Sequence, residues 1–265
     1  MMVVVGALRR ELEPFRRLIE SPQDDRVDNL VFTEGRADGV PVALVQFGIG
    51  RERAQAAVRA AVERYRPRLI VSAGFSGGLS TDIEGGDLVL AQQIFAVERP
   101  VNGSQPNDMP PIAIDRGLLD ACAITLEEGL MRYTVGNIVS VQQAMPSPRE
   151  KDRLSRTTPA LLVDMESYWI AEAARQAGVL FLAARVASDE LGDTLPDFER
   201  FLDEMGGLRP LKAAWYFLTH PHHLLGAPAL ALNASRGVHN LEAFGSLLFT
   251  MSYRPMAYRP VPAGS

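Results

Sequence analysis

The stretch Val163-Asp164-Met165-Glu166-Ser167 completes the apolar run Leu161-Leu162-Val163 and passes at once into a helical pattern. A short continuous apolar run followed by a helix reads as a buried strand. A carboxylate at its end stands at the edge of an open α/β sheet, where ligands bind. Two other acids occupy the same kind of place. Glu11 follows Val3-Val4-Val5-Gly6-Ala7, and Asp189 follows the apolar run 179–188. Any one of them alone is explained as an acid that caps or starts a helix. Three in one context, far apart in sequence, predict that three parallel neighbouring strands bring their carboxylates into one cleft.

Outward from these points, the chain alternates strands and helices. Residues 2–5 read as a strand and 9–20 as a helix with Leu12, Phe15, Leu18 and Ile19 on one face. Residues 21–28 are polar and read as a loop. The runs 30–35 and 40–46 flank Ala37-Asp38-Gly39, a hairpin signal because Asp-Gly accepts the positive φ of a tight turn. Residues 51–65 are helical and stop before Pro67; 69–71 form a strand that runs into Ser72-Ala73-Gly74-Phe75-Ser76-Gly77-Gly78. Further strands are expected at 86–97, 134–141 and 180–187, helices at 117–130, 149–156 and 166–177, and a loop at 99–111. Strands alternating with helices predict a three-layer α/β/α fold. Gly48 and Gly50 alone do not make a dinucleotide fingerprint, and no cofactor is expected.

The 265 residues suit one large domain or two small ones. A net charge of −5 makes nucleic acid an unsuitable main partner. Cys122 is the single cysteine, so no intrachain disulfide can form, and its apolar neighbourhood marks a small core residue. The N-terminus lacks the charged and apolar segments of a signal peptide, and no apolar run reaches the length of a membrane span; a cytoplasmic protein is expected. His220, His222 and His223 cluster around Pro221, but their spacing fits no metal pattern and no metal site is expected. From residue 208 the chain is apolar and proline-rich, predicting two or three helices and a loose tail. The expected division is a domain at 1–207 with an appendage at 208–265 that does not fold alone.

Five blocks in order resemble the nucleoside phosphorylase superfamily, and within it the 5′-methylthioadenosine/S-adenosylhomocysteine nucleosidase branch. They are Gly6-Ala7 with Glu11, Gly48-Ile49-Gly50, Ala73 to Leu79, Val163 to Ser167, and Arg185-Val186-Ala187-Ser188-Asp189. The resemblance spans about residues 2–205. It implies a central mixed, partly curled sheet between helices, and cleavage of a purine–ribose bond without cofactor or metal. By the resemblance, Asp189 protonates the leaving base, Glu166 holds the ribose hydroxyls and faces the developing positive charge, and Glu11 is the base for a water nucleophile. Met165 packs on the ribose, and Ser188 holds Asp189 or the base. Gly74, Phe75, Ser76 and Ile49 complete the substrate site.

The chain departs from that pattern in two places. The segment 142–145 has no aromatic ring to stack on adenine, leaving Met145 to cover the base, so adenine and other purines both stay open. Phe75 replaces a small polar residue near the nucleophile, a contact that Ser76 can take over. Related phosphorylases carry an arginine where this chain has Ser72, and Glu11 repels phosphate, so water is the expected nucleophile. Phosphorolysis and a non-catalytic nucleoside-binding protein are the alternatives. Arg209-Pro210-Leu211 and the apolar residues after it resemble a hopanoid-associated branch, which implies a lipidic, adenosylhopane-like substrate and peripheral membrane contact. The plainer reading has this segment pack on the core or at the interface of a homodimer, the assembly common among relatives.

Overall fold

The structure is a computed structural model that describes residues 1–97, 109–145, 147–194, 209 and 227–251. The strands are β1 (Met2–Gly6), β2 (Glu20–Val27), β3 (Leu30–Ala37), β4 (Val40–Gln46), β5 (Leu69–Gly78), β6 (Leu88–Val97), β7 (Ile112–Ala113), β8 (Thr134–Val141), β9 (Ala160–Asp164) and β10 (Leu180–Asp189). The helices are α1 (Arg9–Arg16), α2 (Arg51–Tyr65), α3 (Arg116–Glu128), α4 (Pro148–Thr157), α5 (Ser167–Gln176) and α6 (Ala227–Thr250). The expected α/β architecture with a mixed, partly curled sheet is present.

Strand β5 is the hub. β1 and β10 both pair with it in parallel, and β9 pairs with it antiparallel at Gly77 and Gly78. The three acid-bearing strands are therefore not one another's neighbours, as expected, but all flank β5. Because β10 also pairs with β6, β6 with β8 and β8 with β9, the strands β5, β10, β6, β8 and β9 close into a ring. The remaining order, β1-β4-β3-β2, extends from β5 as an open wing. Val3, Val4, Val5, Ile70 and Val71 are fully buried, as near-continuous apolar runs of parallel strands require.

Two expectations fail in the wing and for one reason. Residues 21–28 are not a loop: β2 pairs antiparallel with β3. β2 is an edge strand and nearly all of it is exposed, so it lacks the apolar alternation by which a strand is recognised. A register shift between Glu20 and Gln23 accommodates Pro22, which cannot donate to a ladder. The expected helix at 9–20 ends at Arg16 accordingly. The hairpin is as read, with Asp38 at φ 47° and Gly39 at φ 73°.

Helix α6 packs on α1 and on β10. Leu241, Phe244 and Leu248 are buried, and Phe244 and Phe249 meet Phe15 edge to face at 6.3 and 6.2 Å. Cys122 is buried, and burial pushes its thiol up to about 12. The expected loop at 99–111 falls largely outside the described residues, as do the boundary at 207, the segment 210–226 with its histidine cluster, and the tail.

Candidate active site

Glu11 stands three residues after Leu8, the residue that precedes α1. Its carboxylate accepts from the Leu8 N–H at 2.8 Å, filling one of the open donors of the helix start, and from the Phe75 N–H at 2.9 Å. The side chain thus bridges the end of β1 to the middle of β5. Gly74 makes this possible: a Cβ there would lie 2.4 Å from both Glu11 Oε1 and Arg185 Nη1. Glycine is required by space, not by backbone angle.

Glu166 begins α5 and accepts from the Gly50 N–H at 3.0 Å. Gly50 has φ 109°, a conformation that only glycine adopts freely, so the second half of Gly48-Ile49-Gly50 presents its N–H to the carboxylate. Burial pushes Glu166 up to about 8, and the neighbouring Asp164 adds to the rise. Asp164 itself is braced: it accepts from Ser140 Oγ at 2.5 Å and the Ser167 N–H at 3.2 Å, and pairs with Arg185 Nε at 3.0 Å. Arg185 also donates to Ser167 Oγ at 3.0 Å and Ser72 Oγ at 2.8 Å. A guanidinium from β10 therefore reaches the very residue, Ser72, that stands where related phosphorylases carry an arginine.

Asp189 ends β10 with no exposed surface. Lys151 of α4, equally buried, donates to Asp189 Oδ2 and to the Glu190 carbonyl. Ser188 Oγ lies beside Asp189 Oδ1 and 3.2 Å from the Ser76 carbonyl, and its single proton serves one at a time. Burial raises Asp189 above the usual carboxylate range, against the lowering by Lys151 and Ser188.

These groups meet at one cavity of about 250 Å³. Glu11, Glu166 and Asp189 line it, with Met165, Ser76, Phe75, Ile49, Met145 and Ser188. Gly74 does not; it stands behind the wall, giving Glu11 room. Ser76 Oγ is buried without a hydrogen-bond partner among the described residues, a polar atom open to a ligand. Met145 sits at the Met145–Val141 side, and Leu230 and Ala234 of α6 close the wall from the chain's other end. Among the described residues no group of histidine, cysteine and acidic side chains forms a metal cluster.

Four contributors carried no role in the sequence reading. Arg185 was visible only as part of a block, because nothing local says that it faces inward. Lys151 sits in a charged helix of outward appearance, yet a signal existed: of 27 basic residues only Lys151 and Lys212 are lysines. Leu230 and Ala234 had no local mark at all.

A family model described as the Phosphorylase superfamily matches residues 2–207. The 5′-methylthioadenosine/S-adenosylhomocysteine nucleosidase of Staphylococcus epidermidis is 25% identical over 212 residues, covering 77% of this chain and 93% of its own. The protein of the same name from Geobacillus kaustophilus is 27% identical over 210 residues, covering 76% and 89%. Among solved structures, the S-adenosylhomocysteine nucleosidase of Streptococcus pyogenes with 5-methylthiotubericidin aligns with TM-score 0.69 at 20% identity, over 93% of this chain and 96% of its own. The futalosine hydrolase of Helicobacter pylori aligns with TM-score 0.68 at 19% identity, over 92% and 96%. These structures share the fold. With the family model covering most of its length and the strand-end acids in one cavity, the chain belongs to the phosphorylase superfamily.

Proposed function

We propose that this chain is a purine nucleosidase that hydrolyses the N-ribosidic bond of a 5′-substituted adenosine-like nucleoside, of the methylthioadenosine and adenosylhomocysteine type. The observation that carries the reading is the convergence of three buried carboxylates, Glu11, Glu166 and Asp189, on one cavity of about 250 Å³. Cleavage sends an electron pair to the base and leaves positive charge on the sugar. Asp189 gives the base a proton, and Glu166 holds the ribose hydroxyls and faces the sugar's charge. Glu11 accepts the proton of the attacking water. Met165 and Ile49 support the sugar, Met145 covers the base, and Ser76 offers its unpartnered hydroxyl to the water or the sugar.

Water is favoured over phosphate because Arg185, the buried cation beside Glu11 at Gly74, is already occupied by Asp164, Ser167 and Ser72, and Glu11 rather than Arg185 lines the cavity. The one observation on the side of phosphate is Arg10, which lines the cavity mouth with its guanidinium 5.4 Å from the Phe75 ring centre. The apolar contribution of Leu230, Ala234 and Phe75 supports an apolar 5′ substituent, a methylthio group or a longer lipidic chain. A longer chain would bring the protein to a membrane surface, and a second copy beside the cavity would make the working unit a homodimer.

The test is chromatographic detection of free base from methylthioadenosine, adenosylhomocysteine, adenosine and inosine, each with and without phosphate. Base released without phosphate, with no sugar phosphate, is the expected result. Strict phosphate dependence would transfer the chain to the phosphorylases. Tight binding of a nucleoside without turnover would leave a binding protein.

A further inference from the structure

The mechanism above uses Asp189 but leaves its partner without a task. Lys151 and Asp189 form an ion pair whose side chains are 1% and 0% exposed. Stripping both ions of water is costly, and an apolar pair of similar volume would often be as stable. Stability is therefore a poor reason for a lysine here, in a chain that meets nearly all its other needs for positive charge with arginine. A lysine differs from an arginine in one chemical respect that matters at such a site: it can give up its proton.

The geometry isolates the pair for that purpose. Lys151 comes from α4, which follows the segment that carries the cavity-lining Met145. Its Nζ bonds to Asp189 Oδ2 and the Glu190 carbonyl, fixing the ammonium beside the carboxylate. Asp189, not Lys151, lines the cavity. A Cβ on Gly77, itself a wall residue, would stand 3.5 Å from Asp189 Oδ2 and 3.6 Å from Oδ1. The absence of a side chain there leaves the carboxylate open to a ligand on that side. Asp193 is the other charge acting on Asp189, and it raises its proton affinity.

We infer that Lys151 is the positioning residue of the leaving-group acid: it holds Asp189 as half of a neutral pair sharing one proton, and supplies the proton that Asp189 passes to the departing base. This rests on the nucleosidase reading. The pair is neutral whether the proton sits on nitrogen or on oxygen, so moving it between the two creates no net buried charge. In the reaction the C–N bond breaks with its electrons on the base nitrogen, and that nitrogen takes the Asp189 proton. That proton reaches Asp189 from the Lys151 ammonium, so the pair is left as a carboxylate beside a neutral amine. Water forms the new C–O bond and gives its proton to Glu11. After the products leave, Glu11 releases that proton to solvent and Lys151 takes one up, so the sum is nucleoside plus water to sugar plus base.

The experiment compares steady-state base release by the full chain, Lys151→Met, Lys151→Arg, Asp189→Asn and the double variant Lys151→Met/Asp189→Asn, from pH 5 to pH 10. The substrate is whichever nucleoside the unmodified protein cleaves. Lys151→Met is expected to lose about 100-fold or more in kcat with KM within about threefold, the scale of lost acid catalysis. The double variant should be no slower than Asp189→Asn, because Lys151 acts only through Asp189. Lys151→Arg keeps the charge but holds its proton, so it should remain slow and lack the high-pH fall in kcat expected of the unmodified protein. Full kcat in Lys151→Arg would overturn the inference by showing that charge alone suffices. Losses that multiply in the double variant would overturn it by showing independent action. The double variant buries no unpaired charge, so it remains a test if Lys151→Met fails to fold. No base release by the unmodified protein from any nucleoside would instead sink the nucleosidase reading itself.

Discussion

Glu166 and Asp189 are tuned by their burial and by the groups placed beside them. Asp189 has the proton-donor assignment, and Asp189→Asn should reduce kcat by about 10²–10⁴ with the fold intact, as read from circular dichroism and base release. Unchanged turnover would remove the assignment. Glu166 makes a pH prediction. Its carboxyl is held protonated up to about pH 8 in the fold, against an ordinary value of 4.5. Between those values the folded state binds more proton than the unfolded chain, so stability falls as pH rises from about 4.5 to about 8. Glu166→Gln should therefore melt progressively higher than the unmodified protein as pH rises across that window. The same ionisation should appear as a rise in kcat/KM through about pH 8, absent from the Gln variant, since the carboxylate must be charged to face a positive sugar. A rise that persists in Glu166→Gln would assign it to another group. At this scale the sequence was informative: Glu11, Glu166 and Asp189 were legible as strand-end acids. Arg185 and Lys151 were not, because charge inside a strand or a charged helix says nothing about direction until neighbouring strands are placed.

At the scale of elements, β5 decides how the acids meet. The strand expected at 69–71 continues through its glycine-rich end to Gly78. Glycines keep that strand thin, so that Glu11 can cross it at Gly74 and Asp189 can lie against Gly77. Helix α6 is the other decisive element. Its described part packs on the core, as the plainer sequence reading had it, with two residues in the cavity wall. Ala234→Phe should obstruct the apolar end of that cavity. It is expected to lower kcat/KM for adenosylhomocysteine by tenfold or more while changing adenosine by less than about threefold, the size of effect that pocket shape commands. Equal loss on both substrates would place α6 away from the 5′ substituent. The edge strand β2 shows the opposite limit of sequence reading: paired on one side only and wet on both faces, it carries no apolar period to read.

At the scale of the molecule, one core joins the two ends of the chain. Phe15 of α1 is buried against Phe244 and Phe249 of α6, and α6 also packs on β10. Phe244→Ala should cost about 3–5 kcal/mol, measured by urea unfolding, because a fully buried ring leaves a cavity. A loss below about 1 kcal/mol would mean that α6 is peripheral. Among the described residues, no helix is long and apolar enough to cross a membrane. Apart from the edge strand β2 and the two-residue β7, the order of strands and helices, the hairpin at Asp38-Gly39 and the placing of three acids near strand ends were determined by the sequence alone. They depend on periodicity, turn chemistry and chain neighbours, all local. The closure of five strands into a ring, the pairing of Lys151 with Asp189 and the seating of α6 against Phe15 were decided only by the tertiary structure. Each joins residues far apart in the chain, whose partners are set by packing and by the need to neutralise charge that packing has buried.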